Sequence, residues 1–358
     1  MTASVQVAEP LDLQAIRGQV DVALGDFLRD KARTAGTLRL PEEITRALHA
    51  FLFAGGKRIR PLLCVLGWYA AGGSTEPPAF VIKAAASLEM FHAAVLIHDD
   101  IIDNSDTRRD GPTVHRALAG LYNDRPDPSR FGADAAIVLG DLALVWSAEL
   151  LNTAELSATR LAAARTVVDA MRSDVMYGQY LDLLATGRPS NDIDRALQII
   201  RHKTVAYTFD SPLQLGAAIA DAGARVHDAL TCYARPLGEA FQLQDDLLGV
   251  YGDPARTGKS NLDDLRDGKH TVLVAIALEH ADAEQSARLR ILLGDPELDD
   301  RGAAMCRDIV AATAKETVHR MIRARWAEAN GVLDNAPFPA AVIQAMRHIA
   351  DDAIVRTK

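Results

Sequence analysis

Residues 95–103 read VLIHDDIID, an apolar helical run in which Asp99 and Asp103 stand four apart. That spacing projects both carboxylates from one face, with Asp100 about 100° round the axis. Like charges so placed repel, so a helix turning them inward needs something positive between them. Hard oxygen ligands of this kind suit magnesium bridging to a phosphate. The flanking Val95, Leu96, Ile97, Ile101 and Ile102 leave little room for a fully solvated acidic face. Far along the chain a second cluster, FQLQDDLLGVYGD at 241–253, places Asp245 and Asp246 in another apolar helical run, with Gln242 one turn earlier. Two such clusters imply two walls of one cavity, with metal ions shared between helices as in bundle-core sites.

The positive counterpart is local. AGGKRIRP at 54–61 sets Lys57, Arg58 and Arg60 between a glycine pair and a proline, just before an apolar helix whose start favours anions. Arg108 and Arg109 follow the first acidic cluster in TRRDGPTVH, and Lys203 with Thr204 occurs in RHKTVAYTF. Lys259 and Lys269 lie within the charged stretch at 252–271. Multiply charged diphosphates demand several such donors, arginine forks above all. No GxSxG elbow, Walker-type loop or dinucleotide-binding glycine fingerprint is present, which removes support for hydrolase, kinase and dehydrogenase readings.

Helical periodicity must position these groups, because it recurs through almost the whole chain. Turn clusters break it at 72–78, 123–132, 186–192, 252–257, 294–300 and 335–339. None is long enough for a linker, so the 358 residues predict one all-α domain spanning 1–358. Residues 252–271 lack an apolar period and mix glycine with charge, which predicts a mobile loop that closes over an anionic ligand.

The bulk figures agree. The net charge of -9 disfavours nucleic acid and anionic membranes, which need a basic field. Cys64, Cys232 and Cys306 are few and far apart, reading as inert thiols of a reducing compartment. The first residues lack the basic and apolar regions of a secretory signal. Charged residues and histidine interrupt the greasiest stretches, which predicts that they fall short of the roughly 18 apolar residues of a membrane span. A soluble cytoplasmic protein is expected.

Taken together, GGKRIRP at 55–61, HDDIIDNSDTRRDGPTVH at 98–115, GQYLDL at 178–183, KT at 203–204, FQLQDDLLGVYGD and GKSNLDDLRDGK at 258–269 resemble the trans-prenyltransferase family of farnesyl and geranylgeranyl diphosphate synthases. The likeness is greatest to bacterial geranylgeranyl-type members and spans about residues 40–275. It implies a bundle of long helices around a deep central cavity, a homodimer, and three magnesium ions per site. By this resemblance Asp99, Asp100 and Asp103, opposed by Asp245 and Asp246, would hold magnesium at an allylic diphosphate gripped by Arg108. Lys57, Arg60, His92 and Arg109 look like the isopentenyl diphosphate pocket. Lys203, Lys259 and Lys269 would close on the allylic diphosphate, while Thr204 and Gln242 would face the developing carbocation. The implied reaction is ionisation, attack by isopentenyl diphosphate and proton loss.

One departure stands out. Gly249 occupies the position where many relatives carry a third aspartate, leaving Asp253 or water to replace it. Water is the expectation, because Gly252 and Pro254 predict that the helix has ended by Asp253. Product length would follow from the helix before Asp99. Ala94 and Val95 are small, and Phe91 lies one turn deeper than Val95, about 6 Å further. That arrangement predicts geranylgeranyl diphosphate, with farnesyl or longer products as the nearest alternative. A class I terpene cyclase would need no second diphosphate pocket, and a non-catalytic partner subunit would have no need of intact charged motifs.

Overall fold

The computed structural model describes residues 10–73, 76–109, 111–253 and 261–354, so the expectation for Lys259 falls outside the described residues. In chain order the helices are α1 (Leu13–Thr37), α2 (Glu43–Phe53), α3 (Ile59–Ala70), α4 (Ala79–Ile102), α5 (Val114–Leu121), α6 (Pro128–Asn152), α7 (Ala158–Ala185) and α8 (Ile193–Ile200). A π-helical segment (Arg201–Asp210) runs from α8 into α9 (Ser211–Ile219), followed by α10 (Ala224–Tyr251), α11 (Asp263–Arg266), α12 (Val272–His280), α13 (Ala283–Leu292) and α14 (Asp300–Val310). A second π-helical stretch (Ala311–Lys315) leads into α15 (Glu316–Asp334), and α16 (Ala340–Ile354) ends the described chain. Two-residue strands β1 (Thr107–Arg108) and β2 (Gly111–Pro112) form an antiparallel pair. The fold is all-α, as the periodicity predicts.

Local chemistry explains the boundaries. Side chains of Asp12, Asp127, Ser157, Asp192 and Thr271 accept backbone N–H bonds at the starts of α1, α6, α7, α8 and α12. Each satisfies a donor left over at a helix N-terminus. Asp282 and Gln285 form a reciprocal capping box on α13. The 123–132 cluster ends earlier than the turn residues suggest, because Pro128 opens α6 within its first turn, where a missing N–H costs nothing.

Apolar faces meet in two adjoining cores. The larger gathers α1, α3, α4, α6 and α16 with the first half of α10, and the smaller joins the second half of α10 to α12, α14 and α15. Cys64 and Cys306 are buried in them, whereas Cys232 is exposed. The helices α4 and α6 correct one expectation: at 24 and 25 residues, both are long and apolar enough to cross a membrane. Single interrupting charges do not lower mean hydropathy enough over a full helix. The most apolar window of α4 is nonetheless 72% buried within the bundle, the environment of a core helix.

Arg58 ties four segments together. It sits just before α3 in the left-handed region, φ 51°, and its side chain turns inward to 4% exposure. Its guanidinium donates to Asp21 of α1 at 2.8 Å, to the buried Glu89 of α4 at 2.9 Å and to the Leu52 carbonyl of α2 at 2.6 Å. Of the basic trio read from the sequence, this one is structural. Replacing it with leucine strands a buried carboxylate at Glu89, so Arg58→Leu is expected to lower unfolding free energy by about 3–5 kcal/mol. Chemical denaturation measures this, and a loss under about 1 kcal/mol would contradict the assignment.

Candidate active site

The first acidic wall is the C-terminal end of α4, with Asp103 as its C-cap residue. Asp99 accepts from Gln179 of α7 at 3.2 Å and lies 3.5 Å from the Lys203 ammonium. Asp100 turns the other way and is buried, held by the Arg108 fork at 2.6, 2.8 and 2.9 Å. A metal role for Asp100 would therefore require that fork to open. Asp103 faces Lys269 at 3.6 Å. Burial raises its pKa above the ordinary aspartate value, with Lys269 opposing and Asp99 reinforcing the shift.

The second wall is on α10. Asp245 is exposed, while Asp246 is buried and accepts from Gln242 Nε2 at 2.8 Å. Gln242 Oε1 in turn accepts from the Thr204 hydroxyl at 2.7 Å. Burial pushes the Asp246 carboxyl up to about 8, the Gln242 bond lowering it and Asp245 and Asp264 raising it further. A buried carboxyl so destabilised as an anion calls for a cation.

Lysines occupy the space between the walls. Lys203 donates to Asp182 at 2.6 Å, and burial disfavours its charge, yet Asp99 and Asp182 raise its pKa above that of an ordinary lysine. Lys269 lies 3.0 Å from Asp264, and despite burial its pKa is driven well upward by Asp264 and Asp103. The π-helical segment carries Lys203, Thr204, Tyr207 and Thr208, and such wide turns recur at functional sites because they re-aim side chains. Close approach to α7 depends on Gly178, where a β-carbon would lie 2.4 Å from the Lys203 backbone nitrogen. A cavity of about 310 Å³ opens here, lined by Asp103, Gln179, Asp182, Asp267 and Lys269.

A second basic group lies beside the turn before α3. Adjacent arginines part company at the hairpin: Arg108 joins the acidic wall, whereas Arg109, at φ 51°, donates to the carbonyls of Gly55 and Phe51. Arg60 donates to Thr208 at 2.6 Å and stacks 4.0 Å over the Tyr207 ring, and its buried Nε has no hydrogen bond among the described residues. His92 meets the Tyr207 hydroxyl at 2.5 Å. Burial, then Arg60 and Arg109, hold its pKa well below the ordinary histidine value. Lys57 is exposed beside this group and borders a cavity of about 380 Å³ between the N-terminal residues and α16.

The sequence reading assigned no role to Gln179, Asp182, Tyr207 or Asp264. GQYLDL held the signal for the first pair, since Gln179 and Asp182 lie three apart on one helical face. Nothing local marks Tyr207, whereas Asp264 lies within the GKSNLDDLRDGK motif without a role assigned to it. Of the chain-length candidates, Phe91 and Ala94 are buried and Val95 is half-buried. Phe91 meets Tyr207 edge-on at 5.8 Å, with the Arg172 guanidinium 5.5 Å from its ring centroid.

The donor set fits magnesium in one particular way. Among the described residues no three acids, cysteines or histidines converge closely enough to hold a metal by themselves. Magnesium, however, is held in phosphate-transfer sites by one or two carboxylates plus substrate phosphates and water. Asp99, Asp103 and Asp245 with the neighbouring lysines suit ions whose remaining ligands come from a diphosphate.

Comparison with known proteins identifies the family. A polyprenyl synthetase profile matches residues 41–310, which include both acidic motifs. The chain is 34% identical over 260 residues to a short chain isoprenyl diphosphate synthase of Methanocaldococcus jannaschii, covering 72% of this chain and 73% of that protein. It is 33% identical over 266 residues to a geranylgeranyl diphosphate synthase of Saccharolobus solfataricus, covering 74% and 75% respectively. The crystal structure of geranylgeranyl pyrophosphate synthase from Corynebacterium glutamicum, complexed with isoprenyl diphosphate and magnesium, superposes with a TM-score of 0.92 at 40% identity, covering 97% of this chain and 100% of that one. A profile spanning both walls and a structural match along nearly the whole chain have one conclusion: the chain belongs to the polyprenyl synthetase family.

Proposed function

We propose that the protein lengthens an allylic diphosphate by condensing it with isopentenyl diphosphate, giving geranylgeranyl diphosphate as its main product. The observation that carries this reading is the presence of two separate cationic groups. Lys203, Lys269 and Arg108 interleave with the carboxylates, whereas Arg60 pairs with Thr208 and the Tyr207 ring and Arg109 with the Gly55 carbonyl. One diphosphate needs one pocket. Two pockets favour a condensation over cyclisation of a single substrate.

On this reading Lys203 and Lys269 receive the allylic diphosphate between the walls, and Asp100 orients Arg108 toward it. Asp99, Asp103 and Asp245 would hold magnesium together with that diphosphate, where it would neutralise charge on the departing group. The allylic carbon–oxygen bond breaks and the electron pair leaves with the diphosphate, whose developing charge the lysines stabilise. Arg60, Arg109 and Lys57 hold isopentenyl diphosphate so that its alkene faces the cation. A new carbon–carbon bond forms from that alkene, and the released diphosphate takes the proton that restores a double bond. His92, kept neutral, adds no competing positive charge. Thr204 and Gln242 present their oxygens toward the cation, and water that would quench it has to be kept out.

Three further features complete the proposal. The exposed Ile137, Val138 and Val145 along α6 support a homodimer, because a second copy would cover them. Burial of α4 supports a soluble, cytoplasmic enzyme without stable membrane insertion. Three magnesium ions per site are the number that the resemblance to the family implies.

Two assays test this. Purified protein with magnesium and labelled isopentenyl diphosphate is expected to extend dimethylallyl, geranyl or farnesyl diphosphate to geranylgeranyl diphosphate. Absence of incorporation with every acceptor would sink the synthase reading, and cyclic hydrocarbon from an allylic diphosphate alone would select a cyclase. Phe91→Ala removes the buried ring below the small Ala94 and Val95, so its products are expected to be longer by at least one isoprene unit. An unchanged distribution in a folded, active variant would remove Phe91 as the floor.

A further inference from the structure

One half-buried cation takes no part in the diphosphate chemistry. Arg172 of α7 lies with its guanidinium 5.5 Å from the Phe91 ring centroid. It reaches toward α6, where one terminal nitrogen donates to the hydroxyl of the fully buried Ser147 at 2.8 Å. That hydroxyl in turn donates to the Leu144 carbonyl. The buried Nε of Arg172 has no hydrogen bond among the described residues. Asp169 approaches to 3.7 Å but is exposed to water, so it offsets little of the charge. Burial accordingly holds the pKa of Arg172 below the ordinary arginine value, with Asp169 opposing.

Packing alone accounts poorly for such a residue. A guanidinium with an unpaired buried donor is costly, and an apolar side chain of similar length would fill the space between α6 and α7 without that cost. Its depth supplies a reason. Gln179, seven residues after Arg172 on α7, donates to Asp99, and Phe91 stands eight residues before Asp99 on α4. The two helices therefore meet at two levels about 10–12 Å apart, one at the carboxylates and one at Phe91 and Arg172. We infer that the Arg172 cation is a second determinant of product length, closing the space beyond Phe91 to a growing hydrocarbon tail. The ring attracts the cation through its face, whereas a tail passing the ring would strip water from the guanidinium and give it no partner. Arg172 acts through Phe91 and does not touch substrate in the wild-type protein.

The inference rests on the condensation reading with Phe91 as the floor, and product lengths test it. Wild-type protein, Arg172→Leu, Arg172→Lys, Phe91→Ala and the double variant Phe91→Ala with Arg172→Leu are each given magnesium, farnesyl diphosphate and labelled isopentenyl diphosphate in excess. Arg172→Leu is expected to lengthen the main product by at least one isoprene unit while its melting temperature stays level or rises, a combination that a merely structural residue would not give. Arg172→Lys retains the charge and is expected to retain the wild-type distribution. The double variant is expected to make longer products than Phe91→Ala alone. If the leucine variant does not fold, as judged by its melting transition, Arg172→Met takes its place. A wild-type distribution in the folded, active leucine variant overturns the inference. So does equal lengthening by lysine and leucine, or a double variant that reaches no further than Phe91→Ala. Wild-type protein that condenses nothing instead overturns the reading beneath it.

Discussion

Two rows of carboxylates facing each other across a narrow gap are the constraint on which the rest of the structure depends. Asp100 and Asp246 are buried and Asp99 and Asp103 half-buried, so their repulsion is only partly screened and must be balanced by nearby positive charge. Lys203 and Lys269 provide it, the first against Asp99 and Asp182, the second spanning Asp103 and Asp264. On the proposed reading, the same electrostatic demand favours a ligand that brings its own cations. A magnesium diphosphate adds both the positive ions the carboxylates require and the negative oxygens the lysines require.

Holding that balance places strict demands on the helices. The π-helical segment sets Lys203 and Thr204 toward the acids and Tyr207 toward His92 within one short stretch. Arg58, spent on Asp21 and Glu89, fixes the turn from which Lys57 and Arg60 emerge. A left-handed residue at Arg109 sends it away from Arg108, so two neighbours in sequence serve two different groups of charges. Separation of the two groups is therefore built into backbone geometry at the hairpin.

Much of this was legible in the sequence. The turn clusters at 72–78, 186–192 and 335–339 coincide with helix boundaries, because glycine, proline and capping residues act locally. Asp99 and Asp103 were legible because helical spacing alone puts them on one face. The role of Arg58 was not, since its partners come from α1 and α4 and only folding brings them near. The π-helical turns have no compositional mark in RHKTVAYTF. The pairing of Asp264 with Lys269 was hidden for the same reason as Arg58: it depends on anchors at Leu298 and Arg307, far along the chain. Single charges within α4 and α6 suggested interrupted apolar runs, although a helix averages them over its whole length.

The central claim is that the carboxylate walls and the lysines between them bind metal and diphosphate as one unit. Its most direct test is the affinity of the wild-type protein for inorganic diphosphate, measured by isothermal titration calorimetry with and without magnesium. Strong mutual dependence is predicted, with magnesium tightening diphosphate binding by more than about tenfold. Equal affinity in the presence and absence of magnesium would contradict the account.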